Sequence, residues 1–299
     1  MILREADDQR TLERAFALLE EPSFAAKATG VLGEPVAQAM TLLPPGWAEK
    51  VTMATETALS RALDAAVLTL RQDTPSSASH FTHKLFSGLS GAAGGAFGLP
   101  ALALELPLSL VIMLRSIADI ARSEGEKVRD PLTKLACLEV LALGGVGETR
   151  DPRRHGYYAV RVALASAVSE AARFVAQKGV ISHGAPPLIR LITQIAGRLS
   201  VQVTEKAAAQ AVPILGAAGG AAINLMFLDH FQDMARGHFA IRRLERTYGP
   251  EDVHAAYEAL RTPQPPQPPQ PPQPPQPPQP PQPPPPPLPP QTPPPPPPH

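Results

Sequence analysis

The sequence predicts an all-α fold for residues 1–262, arranged as a multi-helix bundle, followed by a proline-rich tail at 263–299. Apolar residues recur at helical spacing in most segments of the first part, which is the pattern of amphipathic helices. Nowhere do Val, Ile and aromatic residues alternate with polar ones over a sustained stretch, as they would in β-strands. Glycine and proline clusters such as Pro44-Pro45-Gly46 separate the segments and indicate turns.

Three helical segments lie in the first 71 residues. Residues 9–20 carry apolar side chains at helical spacing and stop before Pro22. Residues 24–43 are interrupted by glycine and proline, and residues 49–71 form one long apolar stripe.

The remainder of the domain continues in the same pattern. Residues 86–122 predict two helices separated by a break between Pro100 and Pro107, because an interior proline disrupts helical hydrogen bonding. Further helical segments follow at 135–143, 157–178, 188–212, 214–236 and 251–260.

The tail at 263–299 consists almost entirely of proline and glutamine and holds 26 of the 39 prolines. Its prolines lack amide donors and have a fixed φ, which predicts an extended polyproline-II arm of low complexity. Such an arm is available to a partner that binds polyproline II. The alternative is a tolerated disordered extension without a partner.

Composition excludes several classes of function. The formal net charge is zero and aromatic residues make up 5%, which argues against a nucleic-acid-binding surface. The single cysteine, Cys137, excludes an internal disulfide and is interpreted as a core residue. The start of the chain carries acidic residues and no apolar run, so no secretory signal is expected and the protein is expected to be intracellular.

A degenerate internal repeat links two glycine-rich stretches. The letters GAAGGA occur at 91–96 and again at 216–221, and ADIAR at 118–122 echoes QDMAR at 232–236. The first copy has 11 more residues between its two parts. Small residues at helical spacing let helix backbones approach closely, so the two stretches are expected to pack together through six glycines: Gly91, Gly94, Gly95, Gly216, Gly219 and Gly220.

Two other interpretations of the glycine stretches compete with close packing. A phosphate-binding loop would need a following Lys-Ser/Thr or a preceding strand, and neither is present. Bilayer contact is the stronger alternative, because residues 207–228 contain no charged side chain. Alanine and glycine dominate that run, however, and its flanks show no Lys/Arg asymmetry.

The charged ends of the two repeats predict a structural polar network. Three residues at i, i+4 and i+7 share one helical face in each copy. Arg115 is expected to pair with Asp229 or Asp233, and Asp119 with Arg236, because an unpaired charge beside apolar runs is costly. The network has six members: Arg115, Asp119, Arg122, Asp229, Asp233 and Arg236.

The alternative to a structural network is a hydrolytic site. Its acid and base would come from Glu105, His230 and Asp233, with Asp119 and Asp229 as further candidates. Glu105 lies between two leucines, which predicts either an ionised partner for Arg115 or an acid of raised pKa.

A metal site is disfavoured by the arrangement of its candidate ligands. The side chains of Asp229, His230, Asp233 and His238 offer oxygen and nitrogen ligands. His230 points about a hundred degrees away from Asp229 around the helix, and neighbouring arginines oppose a cation. No metal and no cofactor are therefore expected.

A small basic face follows the second repeat. It comprises Arg236, Arg242, Arg243 and Arg246. Such a face is most often simply solvated, and the alternative is contact with anionic lipid.

Five segments carry a resemblance to a known family: ELP at 105–107, MLRSIADIARSEGE at 113–126, CLEV at 137–140, GYYAVR at 156–161, and GGAAINLMFLDHFQDMARGHF at 219–239. At these residues the chain resembles the EcsC family of bacterial proteins, over most of residues 10–260. The family takes its name from a gene beside an ABC-type transporter, so the resemblance implies a bacterial, membrane-linked role. It implies no catalytic residue.

The leading hypothesis is a non-enzymatic helical accessory protein. It would be cytoplasmic, peripheral to or embedded in the inner membrane, with a membrane transporter or that membrane surface as partner. The hydrolase built from Glu105, His230 and Asp233 is the alternative.

Overall fold

The structure is a computed structural model that describes residues 5–20, 24–32, 45–69, 98–144, 156–178, 185–210 and 216–261. All regular secondary structure in these residues is helical, which confirms the all-α prediction. The helices are α1 (Ala6–Leu19), α2 (Phe24–Leu32), α3 (Trp47–Thr69), α4 (Gly98–Ser123), α5 (Pro131–Val140), α6 (Tyr157–Lys178), α7 (Pro186–Gln210), α8 (Gly216–Tyr248) and α9 (Pro250–Arg261).

The chain divides into two units, Met1–Thr262 and Pro263–His299. The predicted polyproline-II arm lies outside the described residues.

Helix α4 is continuous, so the predicted break between Pro100 and Pro107 is wrong. Pro100 occupies the third residue of the helix, within the first turn, where the backbone amide has no intrahelical partner to lose. Pro107 does remove an interior hydrogen bond. The preceding residue Leu106 and Leu110, three residues further on, are both fully buried, and this packing offsets the lost bond.

Helix α8 begins within the second glycine stretch and runs for 33 residues without interruption. The backbone at Gly216, Gly219 and Gly220 is therefore helical. The first stretch, with Gly91, Gly94 and Gly95, lies outside the described residues, and so does its predicted packing on the second.

Helix α8 is the central element of the described bundle. It packs against six other helices: α1, α2, α4, α5, α7 and α9. Helix α3 lies along α4 and α7, and α6 lies on α5 and α7. Each of the nine helices in the described residues contributes buried side chains to one core.

One close approach brings α1 onto α8. A Cβ atom added at Gly237 would lie 2.5 Å from Leu19 Cγ, nearer than two carbon atoms can pack. The absence of a side chain at Gly237 therefore lets α1 lie directly on the α8 backbone.

Within the described part of the chain, no helix combines the length and the apolar character needed to cross a bilayer.

Candidate functional site

The first residue of α6 and a residue of α8 form a buried hydrogen-bonded pair. Tyr157 Oη lies 3.0 Å from His238 Nδ1, and both side chains are buried. Arg161 Nη1 donates to the same hydroxyl at 3.3 Å. Tyr157 donates to Nδ1 when the imidazole proton is on Nε2, and accepts from both His238 and Arg161 when that proton is on Nδ1.

The surroundings of His238 keep its imidazole neutral. Burial lowers the pKa of His238 well below its usual value, and the charges of Arg161 and Arg242 lower it further. A second proton on this ring would add a cation to a site that already holds two.

The guanidinium of Arg161 is held by a carboxylate from α8. Arg161 Nη1 and Nη2 donate to Glu245 Oε1 and Oε2 at 2.6 and 3.2 Å. Tyr158 donates its hydroxyl to Glu245 Oε1 at 3.3 Å. The two-point contact restricts the rotation of α6 against α8, because both N–H groups must face the two carboxylate oxygens.

Helix α5 adds a buried carboxyl to this cluster. Glu139 is 8% exposed, and burial raises its pKa even though Arg161 and Arg242 lower it in part. On the same helix, burial raises the pKa of Cys137 to about 12. That thiol stays protonated and is a core residue, as expected, rather than a nucleophile.

A single carboxylate oxygen joins three elements at the edge of the cluster. Glu20 Oε1, just after α1, accepts from Tyr257 Oη at 2.8 Å and from Arg261 Nη2 at 2.6 Å, both on α9. It also accepts from the backbone amide of Tyr157 at 3.3 Å. Glu20 therefore ties the end of α1 to the start of α6 and to α9.

These groups together form an interhelical polar cluster: Glu20, Glu139, Tyr157, Tyr158, Arg161, His238, Glu245, Tyr257 and Arg261. Its two half-buried cation–carboxylate pairs, Arg161–Glu245 and Arg261–Glu20, join different helical segments. Paired in this way, the charged groups avoid the high cost of burial without a partner. These contacts link α6 to α8, and the end of α1 to α6 and α9.

Three of the four arginines of the predicted basic face, Arg242, Arg243 and Arg246, meet carboxylates from the turn between α4 and α5. Arg242 and Arg246 donate to Glu126 Oε1 at 2.9 and 2.5 Å, and Arg243 donates to Glu124 at 2.8 Å. Burial would raise the pKa of Glu126, but its hydrogen bond from Arg242 and the two nearby charges outweigh burial and lower it. These three arginines are thus largely neutralised within the fold.

The six-residue network predicted at the repeat ends differs from the pairing in the structure. Asp119 pairs with Arg122 at 3.1 Å, and Asp233 pairs with Arg236 at 2.7 Å, each within its own helix. Asp233 also lies 3.8 Å from Lys27 Nζ on α2.

The contact between α4 and α8 is made by neutral groups instead. Gln232 Nε2 donates to Ser116 Oγ at 2.8 Å. No ion pair among the described residues joins Arg115 to Asp229 or Asp233. The physical reason is that the amide and the hydroxyl occupy the contact itself, so the flanking charges reach along their own helices.

The alternative catalytic residues each have separate surroundings. Glu105 accepts from Lys206 Nζ at 2.5 Å, and that ammonium, 1% exposed, lies 5.0 Å from the centroid of the Phe227 ring. The predicted pairing of Glu105 with Arg115 is therefore replaced by one with Lys206.

His230 is a buried ring among aromatic neighbours. Its centroid lies 6.2 Å from that of Phe24 and 5.4 Å from that of Phe231. Asp233 faces Arg236 and Lys27, as described above. The contacts found for Glu105, His230 and Asp233 do not join these three residues to one another.

The described residues hold no group of three or more His, Cys, Asp or Glu side chains placed to bind a metal ion. Of the four candidate ligands, His238 makes its hydrogen bond to Tyr157, and Asp233 is engaged with cations.

Apart from His238, which was considered as a metal ligand, sequence reasoning did not single out the members of the interhelical cluster as a site. A signal was present, because Arg161 follows Tyr157 by four residues and Glu245 follows His238 by seven. Both spacings place the two residues on one helical face. Lys206 carried no such signal, since in the sequence it is only a flank of the uncharged run.

Comparison with known proteins gives one match. The EcsC protein family model matches residues 20–244, which include Tyr157, Arg161 and His238. A search of curated proteins and a search of solved structures found no match. Since the matched segment covers well over half of the chain, the protein is a member of the EcsC protein family.

Proposed function

We propose that this chain is a non-enzymatic helical accessory protein that works by contact with a partner at the inner face of a membrane. The observation that carries the proposal is the pairing of its buried and half-buried polar groups with one another. Tyr157 bonds to His238, Arg161 to Glu245 and Lys206 to Glu105, each across two helices. Side chains that pair with one another across two helices make the helix bundle more rigid.

The depth of the Lys206–Glu105 pair supports a structural role. Lys206 is 1% exposed and Glu105 13% exposed, so both charges are largely removed from water. A buried ion pair of this kind is favourable only when both partners are present. The same pairing occupies the carboxylate that a hydrolase would use as its acid or base.

Exposed apolar side chains on α6 and α7 support the contact role. Val162 is 75% exposed, and Ile189 and Val201 are close to half exposed. The two helices pack against each other. A partner surface or a lipid headgroup layer would remove these side chains from water at a gain of roughly 25 cal/mol per Å².

The membrane link is tested by fractionation of bacterial cells that express the full chain. We expect the protein in the membrane fraction and its release by a carbonate wash. The double variant Val162→Asp/Val201→Asp should shift it to the soluble fraction. As a matched control, Met53→Asp/Leu132→Asp adds the same charge at exposed apolar positions of α3 and α5 and should leave the distribution unchanged.

The proposal that the protein is not an enzyme is tested with a panel of ester, phosphoester and peptide substrates. We expect no turnover that differs between the wild type and the variant Glu105→Gln/Asp233→Asn. Turnover that the double variant abolishes, with its fold intact by circular dichroism, would overturn this part of the proposal in favour of the hydrolase.

A further inference from the structure

Helix α9 packs on a surface whose residues lie mostly within 20–244, the region matched by the EcsC family model. We define the α9 seat as Phe16, Glu20, Tyr157 and Tyr158. The family match ends at residue 244, while α9 begins at Pro250. Three of the four seat residues lie inside the matched region, and the helix that covers them lies outside it.

The contact between α9 and its seat has the composition of a helix-in-groove interface. Tyr257 is fully buried, with its ring centroid 4.9 Å from Phe16, 5.7 Å from Tyr157 and 5.1 Å from Tyr158. Val253 is the only other buried residue of α9. A single deeply inserted aromatic anchor is typical of a binding hot spot.

The seat also contacts the polar end of α9. Glu20 Oε1 accepts from both the hydroxyl of Tyr257 and the guanidinium of Arg261. Val253, Tyr257 and Arg261 are spaced at i, i+4 and i+8, one face of a helix. The seat is therefore complementary to a helix that presents an aliphatic residue, a tyrosine and an arginine at these intervals.

Helix α9 packs on both α8 and α1. Its covalent link to α8 is the single residue Gly249, whose φ is +93° and where an added Cβ would meet open space. An isolated helix of about 12 residues is marginal in water, so α9 depends on its seat. Outside the seat its surface is largely exposed.

We infer that the α9 seat is a helix-binding site of the region that the family model matches, which this chain fills with its own helix α9. A partner protein with an amphipathic helix carrying valine, tyrosine and arginine at i, i+4 and i+8 would dock in place of α9. The seat would accept such a helix whether or not the chain works at a membrane.

The short covalent link through Gly249 favours α9 over any free helix at the seat. A short link gives α9 an effective concentration on the order of millimolar at its seat. A partner must therefore bind more tightly than α9 or arrive already concentrated, for example when held nearby. In the intact chain α9 occupies the seat. The contact between α9 and the seat is therefore autoinhibitory, because it blocks the binding of a partner helix.

The inference is tested with the full chain carrying a specific protease site between Gly249 and Pro250. Before cleavage its melting curve should match that of the wild type. After cleavage and removal of the released fragment, a fluorescent synthetic peptide of residues 250–261 is titrated and its anisotropy measured. We expect saturable binding to the cut chain and at least tenfold weaker binding to the uncut chain.

Matched controls distinguish specific binding at the seat from nonspecific binding of the peptide. Peptides with Tyr257→Ala or Arg261→Ala should bind at least tenfold more weakly than the natural peptide, and so should the natural peptide to a cut chain with Glu20→Gln. Circular dichroism of the cut chain should keep its helical signal. Loss of that signal, failure of the fragment to exchange, or equal binding of natural and altered peptides would each overturn the inference.

Discussion

Tyr157 Oη lies 3.0 Å from His238 Nδ1, so a hydrogen bond joins the first residue of α6 to the second half of α8, 81 residues further along the chain. The same tyrosine receives a hydrogen bond from Arg161, whose guanidinium continues to Glu245. A phenol, an imidazole, a guanidinium and a carboxylate therefore all take part in one contact between α6 and α8. The contribution of each side chain to the free energy of unfolding can be tested by its own substitution.

Removal of the Arg161 guanidinium should lower the stability of the protein substantially. Arg161→Ala leaves Glu245, whose side chain is 12% exposed, without its two-point partner. We expect the free energy of unfolding from urea denaturation to fall by about 2–4 kcal/mol. Arg190→Ala is the control, since its pair with Glu170 is largely exposed and should contribute under about 1 kcal/mol. Equal losses in the two variants would contradict the buried role of Arg161.

His238 should make stability depend on pH. Its pKa is depressed in the folded protein from about 6.5, so the unfolded chain takes up the proton first as the pH falls. The stabilisation is therefore fully present above about pH 6.5 and is lost below it, with a slope of at most about 1.4 kcal/mol per pH unit.

The measurement compares the wild type with His238→Gln by urea denaturation at several pH values. The wild type should lose stability faster below pH 6.5. Glu139 acts with the opposite sign, because its raised pKa lets the unfolded carboxyl lose its proton first above about pH 4.5. Both proteins contain Glu139, so the difference between them isolates His238. Parallel curves would show that His238 does not titrate in this way.

The substitutions Lys206→Ala and Arg115→Ala should have very different effects on the free energy of unfolding. Lys206→Ala removes the partner of Glu105 in the core, and we expect a loss of about 3–5 kcal/mol in the free energy of unfolding. The double variant Lys206→Met/Glu105→Leu should regain most of that loss, because an apolar pair of similar volume needs no charge partner.

Arg115→Ala should cost under about 1 kcal/mol, since no ion pair of the described residues depends on it. Thermal melts of the three proteins provide the measurement. A large drop in Tm for Arg115→Ala would restore the pairing expected from the repeat alignment.

Gly144 should not tolerate a side chain. Its φ is +78°, and an added Cβ would lie 2.9 Å from His230 Cε1 and 3.1 Å from Met234 Cγ. Gly144→Ala therefore combines backbone strain of about 1–2 kcal/mol with a steric clash in the core. We expect a loss of at least about 2 kcal/mol in urea denaturation.

The matched control is Gly125→Ala. Gly125 has a similar φ of +82°, but its nearest neighbour would be 3.7 Å from the added Cβ. Only the backbone strain should then appear. A loss as large as that of Gly144→Ala would mean that the contact with His230 adds nothing.

Much of the fold could be predicted from local pattern. Helical spacing of apolar residues is a property of consecutive side chains, so α1, α3, α6 and α7 follow from the order of residues alone. The predicted break between Pro100 and Pro107 was wrong because tertiary packing of Leu106 and Leu110 overrides a local propensity.

The candidate site could be predicted far less well. The alignment of the repeats identified charges on one face of each helix, but four of them form local pairs, Asp119–Arg122 and Asp233–Arg236. Local pairs at i, i+3 follow from helix geometry. Which residue faces which across two helices depends on the rotation of each helix, and one step along the sequence turns a side chain by about 100°.

The sequence by itself therefore determined the helical class of the described residues, the compositional change near residue 262 and membership of a family through short motifs. Only the tertiary structure decided that Glu105 meets Lys206, that Tyr157 meets His238 and that Glu20 holds α9. The partners in these pairs are separated by 101, 81 and 241 residues. The physical reason is that local propensities act over a few residues, whereas burial of a charge forces a choice among all the partners that the packed helices bring within reach.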